Sequence, residues 1–393
     1  MTFSHKLMEN NITKDDLEKV KNFLRRSNIF TQSKNVSLFE KRWSKWLGVK
    51  YSVFVNSGSS ANLITMNILK IIKGKGDVIV PSFTWVSDIS SVLQNNLNPV
   101  FVDINPKNLC MSEDDIMRKV NKKTIAVFLS HMQGFNGLSN KLLSFLKRKK
   151  IMLIEDVCES HGATFKNKKL GSYGKISNFS YYYAHHMSTI EGGMVCTNDK
   201  KIYHLARMLR SHGMAREIGD RKVEKKIIRQ NPQLSPQFIF VQPGYNLRNT
   251  EIGAVIGLNQ LKKLDKNNKN RIRNFRFFLN NLNKNKYRTD FDLKGNCNYS
   301  FPVILKKASI NQWNTLANTL RNNNIEYRKG NAGGGNQLRQ PYLKQIKKRY
   351  NIKNFKEVDH IHFFSCYIGN YPTLSTKKIM KICSILNSVN YGK

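Results

Sequence analysis

A histidine pair flanked by a serine and a glutamate is the part of this sequence best suited to proton transfer. His185 follows Ser180 by five residues, and Glu191 follows His185 by six residues and opens a Glu-Gly-Gly turn. Imidazole titrates near neutral pH, so a histidine here can move a proton between reacting atoms. His186 is the alternative base, because a one-residue slip in an extended segment turns the side chain to the opposite face.

An acidic cluster directly follows the apolar run at residues 151–154. Asp156 and Glu159 belong to this cluster. A carboxylate at the carboxyl end of a strand in an open α/β sheet faces the ligand crevice, where Asp156 could pair with a protonated ring nitrogen. An acidic turn on the protein surface would have the same sequence, so the cluster alone leaves both interpretations open.

A turn rich in serine and glycine lies between an apolar run and a helical pattern. Gly58 permits a tight turn, and Ser59 precedes the free N–H groups of the helix that begins here. Such a helix terminus can hold a phosphate group. The same residues also serve as an ordinary helix cap, so this motif is weak when taken alone.

These residues must be positioned by a series of short apolar runs that alternate with helical patterns. Runs of this kind are typical of strands buried on both faces, and the alternation predicts an α/β fold with a mostly parallel sheet covered by helices. The predicted strands are residues 51–55, 77–80, 99–102, 124–129 and 151–154, and the intervening helices include residues 61–72 and 141–150.

The character of the chain changes after residue 257. An amphipathic stretch over 258–283 predicts a long helix, and a strand at 299–305 with a helix at 311–322 predicts a smaller α+β unit. We therefore expect a large domain over residues 1–257, with an N-terminal arm over 1–30, and a small C-terminal domain over 258–393.

Several ordered motifs together resemble the DegT/DnrJ/EryC1/StrS family of sugar aminotransferases. The Ser180, His185 and Glu191 spacing is similar to the family pattern, in which the middle position holds the lysine that bonds to the cofactor. This spacing favours His185 over His186 as the base. Other matching segments are residues 30–40, 81–85 and the Gly-Tyr-Asn-x-Arg loop at 244–248, whereas the segment at 332–338 is longer than its counterpart.

The resemblance implies a fold type I aminotransferase-like structure that binds pyridoxal 5′-phosphate (PLP) or pyridoxamine 5′-phosphate. It also implies a homodimer with shared active sites. The implied cofactor-binding residues are Gly58, Ser59, Trp85, Asp156, Glu159, Ser180 and, from the neighbouring subunit, Asn246, while His212 and Arg339 are the implied substrate contacts. In this assignment Ser59, Ser180 and Asn246 bind the phosphate, Asp156 pairs with the ring nitrogen, Trp85 stacks on the ring and Glu159 lies near its 3′-hydroxyl.

Histidine in place of the cofactor lysine is similar to the subset of the family that dehydrates C3 of nucleotide-linked 4-keto-6-deoxyhexoses. That resemblance implies His185 as the catalytic base, glutamate as amino donor, ammonia release and a place in dideoxysugar biosynthesis, as for lipopolysaccharide O-antigen. The nucleotide, GDP or CDP, stays open. So do two alternatives, an aminotransferase with a base other than lysine and a non-catalytic regulator that binds the cofactor.

The six cysteines argue against a metal site and against a disulfide framework. They contain no Cys-x-x-Cys pair, and Cys297, Cys366 and Cys383 are far apart in sequence. A [2Fe-2S] cluster needs four thiolates, usually with clustered spacing, so the iron-dependent form of the dehydratase is not expected.

The charge balance is unusual, with 66 Lys+Arg against 26 Asp+Glu and a formal net charge of +40. The basic residues are spread along the chain, so we interpret them as a solvated surface and do not expect nucleic-acid binding. The start of the sequence has no apolar signal region and no long apolar run occurs, which predicts a cytoplasmic protein without a membrane partner.

Overall fold

The computed structural model describes residues 3–9 and 11–391. Parts of the predicted N-terminal arm (residues 1, 2 and 10) and of the predicted C-terminal domain (392 and 393) lie outside these residues. The α-helices are α1 Lys14–Arg26, α2 Lys34–Leu47, α3 Gly58–Lys73, α4 Val86–Gln94, α5 Glu113–Lys119, α6 Asn140–Lys149, α7 Lys200–Arg210, α8 Arg221–Gln230, α9 Glu251–Asn281, α10 Ile310–Asn322, α11 Lys356–Phe364 and α12 Thr376–Ser388.

The strands form one large sheet, one small sheet and a two-stranded ribbon. Their bounds are β1 Tyr51–Val55, β2 Asp77–Pro81, β3 Asn98–Val102, β4 Thr124–Ser130, β5 Met152–Asp156, β6 Thr164–Phe165, β7 Lys168–Lys169, β8 Ile176–Ser180, β9 Gly193–Thr197, β10 Ser300–Ile304, β11 Tyr327–Lys329 and β12 Ser365–Gly369.

The large sheet has seven strands in the order β1-β9-β8-β5-β4-β2-β3. The strands β3, β2, β4, β5 and β8 are parallel to one another, whereas β9 is antiparallel to both of its neighbours. The strands are buried along most of their length because helices cover the sheet, as the apolar runs predict. The predicted α/β class with a mostly parallel sheet is therefore confirmed.

The parallel strands place their carboxyl ends at one edge of the sheet. Ser130 at the end of β4 lies opposite Asp156 at the end of β5 in the strand register. Ser180 ends the next strand, β8, and the turn after β2 leads to Trp85 at the start of α4. This edge is the place where open α/β sheets bind their ligands.

Helix α9 connects the large sheet to the C-terminal part of the chain. It is 31 residues long and begins at Glu251, seven residues before the predicted start, because the Thr250 side chain accepts the N–H of Gly253 as an N-cap. The predicted domain boundary after residue 257 thus falls inside a continuous helix. Beyond it, β10, β12 and β11 form an antiparallel sheet in that order.

A buried ion pair holds the end of β1 in place. Arg210 of α7 donates through Nη1 to Oε1 of Glu40 in α2, at 2.6 Å, and to the carbonyl oxygen of Phe54, at 2.9 Å. Glu40 accepts in turn from the N–H of Phe54. These bonds fix the strand from which the turn at residues 56–60 departs.

In the part of the chain that the structure describes, every helix is too short or too polar to span a lipid bilayer.

Candidate active site

A cavity of about 630 Å³ lies at the carboxyl edge of the large sheet and reaches the small sheet. Such a volume is typical of small-molecule sites. It is lined by most of the predicted site residues, namely Gly58, Ser59, Trp85, Asp156, Glu159, Ser180 and His185.

Three of the predicted residues are not among those lining the cavity in one chain. Asn246 is exposed, and its side-chain oxygen accepts from Nε of Arg248. His212 is exposed with a φ of 59°, and its N–H donates to the carbonyl oxygen of Tyr245. The guanidinium of Arg339 donates to both carboxylate oxygens of Asp359, at 2.8 and 2.6 Å.

The imidazole of His185 is held in one tautomer by the backbone. Its Nδ1 lies 3.1 Å from the carbonyl oxygen of Ser180. A carbonyl oxygen only accepts, so Nδ1 carries the proton and Nε2 keeps a free lone pair in the neutral ring. Burial lowers the pKa of His185 below 6.5, although the bond to Ser180 and the charge of Asp156 oppose this. The neutral ring is therefore the main form at pH 7, with Nε2 available as a base.

His186 has a different environment. It is fully buried, and its Nε2 donates to the carbonyl oxygen of Cys297 at 2.8 Å. Its ring stacks on that of His161, with centroids 5.3 Å apart, and burial lowers the pKa of both histidines well below 6.5. His186 is absent from the described residues that line the cavity, so the geometry favours His185 as the residue that meets a ligand.

Asp156 presents a fixed carboxylate on the cavity floor. Its Oδ1 accepts the N–H of Cys158 at 2.9 Å, and its Oδ2 accepts Nδ2 of Asn62 at 3.1 Å. The position at the end of β5 puts this negative charge where a cationic ring nitrogen could meet it.

The turn between β1 and α3 offers the helix N-terminus that the sequence predicts. The Ser57 side chain accepts the N–H of Ser60, and the Ser57 carbonyl accepts the N–H of Ala61. The N–H groups of Gly58 and Ser59, at the start of α3, have no intrahelical acceptor and can bind a ligand. The turn packs so closely on β8 that a Cβ at Gly58 would lie 2.6 Å from Cβ of Ser180. Gly58 and Ser180 are thereby adjacent at the positive end of a 16-residue helix, a suitable place for a phosphate.

Trp85 and Glu159 also line the cavity. Trp85 is a large aromatic side chain with 58% of its surface exposed, so it is accessible to a ligand in the cavity. Glu159 accepts the N–H of Gln133 at 2.8 Å and the hydroxyl of Tyr299 at 3.3 Å. Burial raises the pKa of Glu159 to about 7.

Sequence reasoning missed several residues of the cavity. Asp88 lies beside Asp156, and Tyr299 contacts Glu159 and His185. Gly333 and Gly334 close one side of the cavity. Arg328 and Lys329 bring positive charge to the same cavity from β11. The extra length at 332–338 was visible in the sequence. Nothing in the sequence placed Asp88 or Tyr299 at the site.

The residues present fit PLP, an aromatic group that carries a phosphate and a basic ring nitrogen. The helix terminus suits the phosphate, Trp85 suits the ring face, and Asp156 suits the ring nitrogen. In the described part of the chain, no group of three or more His, Cys, Asp or Glu side chains is arranged to hold a metal ion. The fold and the site together define a fold type I α/β protein with a cofactor cavity.

Comparison with known proteins gives the family directly. The model of the DegT/DnrJ/EryC1/StrS aminotransferase family matches residues 10–387, so the chain belongs to this family.

Two relatives and one solved structure carry the same activity in their names. GDP-4-keto-6-deoxy-D-mannose 3-dehydratase of Escherichia coli O55:H7 is 34% identical over 91% of this chain and 94% of the relative. The protein of the same name from Yersinia pseudotuberculosis is 32% identical, with 92% of each chain covered. The solved structure of the E. coli GDP-4-keto-6-deoxy-D-mannose-3-dehydratase with bound hydrated PLP has a TM-score of 0.87 and 28% identity, over 98% of this chain and 100% of that chain.

Proposed function

We propose that this protein is a PLP-dependent 3-dehydratase of a nucleotide-linked 4-keto-6-deoxyhexose, with GDP as the nucleotide. The observation that carries the proposal is His185, which lies in the cavity wall with its Nε2 free to accept a proton. The spacing to Ser180 and Glu191 assigns His185 to the family's cofactor-lysine position by resemblance. The names of the relatives support the substrate and its nucleotide.

The proposed reaction balances with glutamate as the reductant. Glutamate is oxidised to 2-oxoglutarate and ammonia, and C3 of the sugar is reduced as its oxygen is lost. When bound, PLP supplies the amino-group carrier and the electron sink that these changes need.

The chain's own residues would hold that cofactor without a covalent bond. The first turn of α3, with Ser59 and with Ser180 beside it, would bind the phosphate. The negative charge of Asp156 would keep the ring nitrogen protonated, and Trp85 would cover one ring face. Lys329 is the one lysine among the described residues that line the cavity, and its ammonium lies over the ring of Trp313, at 5.1 Å.

His185 would move the proton. Because the Ser180 carbonyl holds Nδ1–H, Nε2 is the atom that accepts a proton on the cavity side. The imidazolium so formed can donate that proton to the departing C3 hydroxyl. A base that cannot bond to the cofactor releases the product for hydrolysis, which separates this reaction from amino transfer.

A second copy of the chain would complete the site. We propose a homodimer in which the loop at residues 244–248 reaches the neighbouring cavity, since Asn246 is exposed and does not line the cavity of its own chain. His212 belongs to the adjoining segment, because its N–H donates to Tyr245. Asn246 therefore stays the proposed phosphate contact from the neighbouring subunit, and we propose here that the substrate contact of His212 is also made across the interface. The ion pair of Arg339 with Asp359 must open if Arg339 is to contact substrate.

The test is incubation with PLP, glutamate and GDP-4-keto-6-deoxymannose, followed by mass analysis of the sugar nucleotide. Loss of one oxygen with no nitrogen retained is the expected result, and the CDP-linked sugar should react more slowly. A product that gains an amine would show an aminotransferase. Binding of PLP without turnover of any such sugar would favour the non-catalytic regulator. His185→Asn is the matched control, since it keeps a polar side chain and removes the base.

A further inference from the structure

A second carboxyl group, that of Asp88, lies at the cavity floor beside Asp156 and has no role in the proposed mechanism. Asp88 belongs to the first turn of α4 and is 1% exposed. The two carboxyl groups share one donor, because Nδ2 of Asn62 lies 2.7 Å from Oδ1 of Asp88 and 3.1 Å from Oδ2 of Asp156. The amide of Asn62 therefore holds both groups in a fixed mutual orientation.

The other oxygen of Asp88 contacts two hydroxyl groups. Oδ2 lies 2.5 Å from Oγ1 of Thr84 and also contacts Oγ of Ser130. A hydroxyl can donate or accept, so this pair can serve either a charged or a protonated carboxyl group. Asp88 is thus held by neutral groups from three different elements.

The titratable groups that face Asp88 are all acidic. They are Asp156 at the end of β5, Cys158 in the turn that follows, and Tyr342 from the C-terminal part of the chain. Burial raises the pKa of Asp88 well above its usual range, and the charge of Asp156 together with a hydrogen bond to it raises the pKa further. Two adjacent buried carboxyl groups do not both ionise readily, and the more deeply buried one keeps the proton.

We propose that Asp88 is a positioning residue, a protonated carboxylic acid at neutral pH that holds Asp156 as the single negative charge facing the cofactor ring nitrogen. The contact of Asp156 with the cofactor ring nitrogen rests on the proposed function. The protonation of Asp88 does not depend on that function. A neutral Asp88 keeps the hydrogen bonds that orient the side chains of the cavity floor. It also avoids a second negative charge near the cofactor ring nitrogen.

Asp88→Asn tests the protonation in the cofactor-free protein, because asparagine has the shape of the protonated acid and cannot ionise. A carboxyl group with a raised pKa contributes stability that is complete at low pH and is lost as pH rises toward its folded-state pKa. We expect equal melting temperatures of variant and wild type near about pH 4, and a higher melting temperature for the variant near about pH 8. A variant that is less stable than wild type, and most so at pH 8, would overturn the proposal.

The positioning role is tested by the affinity for PLP alone, measured by fluorescence titration. Asp88→Asn should bind within about threefold of wild type, whereas Asp88→Ala should bind at least about tenfold more weakly than wild type, a loss of about 1.4 kcal/mol or more. Equal affinities of the two folded variants would show that the side chain does not position Asp156.

Infrared spectra test the protonation of Asp88 even if Asp88→Asn does not fold. The difference spectrum of wild type minus Asp88→Ala at pH 7 should contain the carbonyl band of a protonated carboxyl group, because Glu159, whose pKa is also raised, contributes equally to both proteins and cancels. Absence of the band from this difference spectrum would overturn the proposal. These readouts use no turnover, so a protein that shows the band and binds PLP but dehydrates no sugar would contradict the proposed function alone.

Discussion

The hydrogen bond from Nδ1 of His185 to the carbonyl of Ser180 decides which nitrogen of the ring can act. The same carbonyl belongs to the residue at the end of β8, so the proposed base is oriented by the strand that also contributes to the proposed phosphate pocket. A base tied to its backbone in this way is positioned before any ligand arrives.

The loss of kcat/KM at acid pH should report the protonation of His185. The base works only in its neutral form, and burial lowers the pKa of His185 below 6.5. We therefore expect kcat/KM to be maintained down to about pH 6.5 and to fall below it. Measurement of kcat/KM for the sugar nucleotide between about pH 5 and pH 8 checks this. An acid limb centred above pH 6.5 would assign the base to another group.

Substitution of His185→Lys tests whether one residue selects dehydration over amino transfer. Lysine can bond to the cofactor, so borohydride treatment should leave a phosphopyridoxyl group on that peptide in the variant and on no lysine of the wild type. Lysine can also return a proton to C4 of the sugar, so a 4-amino product should appear as the 3-deoxy product falls. The conversion should be partial, because catalytic geometry must be held to within about 0.5 Å. A covalently loaded variant that still makes the 3-deoxy sugar at the original rate would mean that His185 is not the discriminating base.

Part of this site was predictable from single residues and part was not. His185 and Asp156 belong to motifs with definite spacing, and the structure brings both to the cavity. Asp88 lies in the first turn of a helix, where an acidic residue is ordinarily explained by the helix dipole. Its burial depends on Asn62 and Ser130, which are distant in sequence, so only the folded chain reveals it.

At the scale of secondary-structure elements, the proposed phosphate pocket depends on the packing of the β1–α3 turn against the end of β8. Gly58 opens α3, and a side chain there would meet Cβ of Ser180 at 2.6 Å. Such contact is shorter than atoms tolerate, so either the turn or the strand must shift.

Gly58→Ala should therefore destabilise the protein by about 1–3 kcal/mol, the usual range for overpacking. Urea unfolding measures the loss. Ser180→Gly removes the opposing Cβ, so the double variant should recover part of the stability that Gly58→Ala loses, even though each single variant is destabilised. Additive effects of the two substitutions would show that the contact between the turn and the strand is not the cause.

The sequence did not predict strand β8, and the structure gives the physical reason. β8 contains Ser177 and Asn178, which are fully buried and therefore interrupt the apolar run expected of a central strand. Their polar groups are satisfied internally, since Thr65 donates to Asn178 and Ser177 donates to the carbonyl of Gly171. Hydrophobic patterning finds a buried strand only where its residues are apolar, so β1 to β5 were predictable and β8 was not.

At the scale of the whole molecule, two features bear on what the chain contacts. They are the high positive charge and the exposed loop at residues 244–248. The net charge of +40 is spread over the sequence, and Arg328 and Lys329 bring part of it to the cavity, where it would attract an anionic sugar nucleotide. The loop, in contrast, is the part of the chain that we propose meets a second copy.

Shared sites predict complementation between two inactive variants, Asn246→Ala and His185→Asn. In a hybrid dimer one site carries both substitutions and the other carries neither, so one of two sites works. Mixing equal amounts with full subunit exchange should restore about a quarter of wild-type activity, since half of the dimers are hybrids. Exchange is followed with differently tagged chains. Hybrids that form and remain inactive would contradict a site shared through Asn246.

Helix α9 has a consequence for motion during turnover. Its first half packs on α1 and α2 beside the large sheet, and its last half packs on α12 and β10. A hinge between the two layers would have to bend 31 residues of unbroken helix, which has no proline. Admission and release of ligands must then fall to smaller parts of the chain. We expect the segment with Gly333 and Gly334 to be one such part, because both glycines line the cavity and both have positive φ.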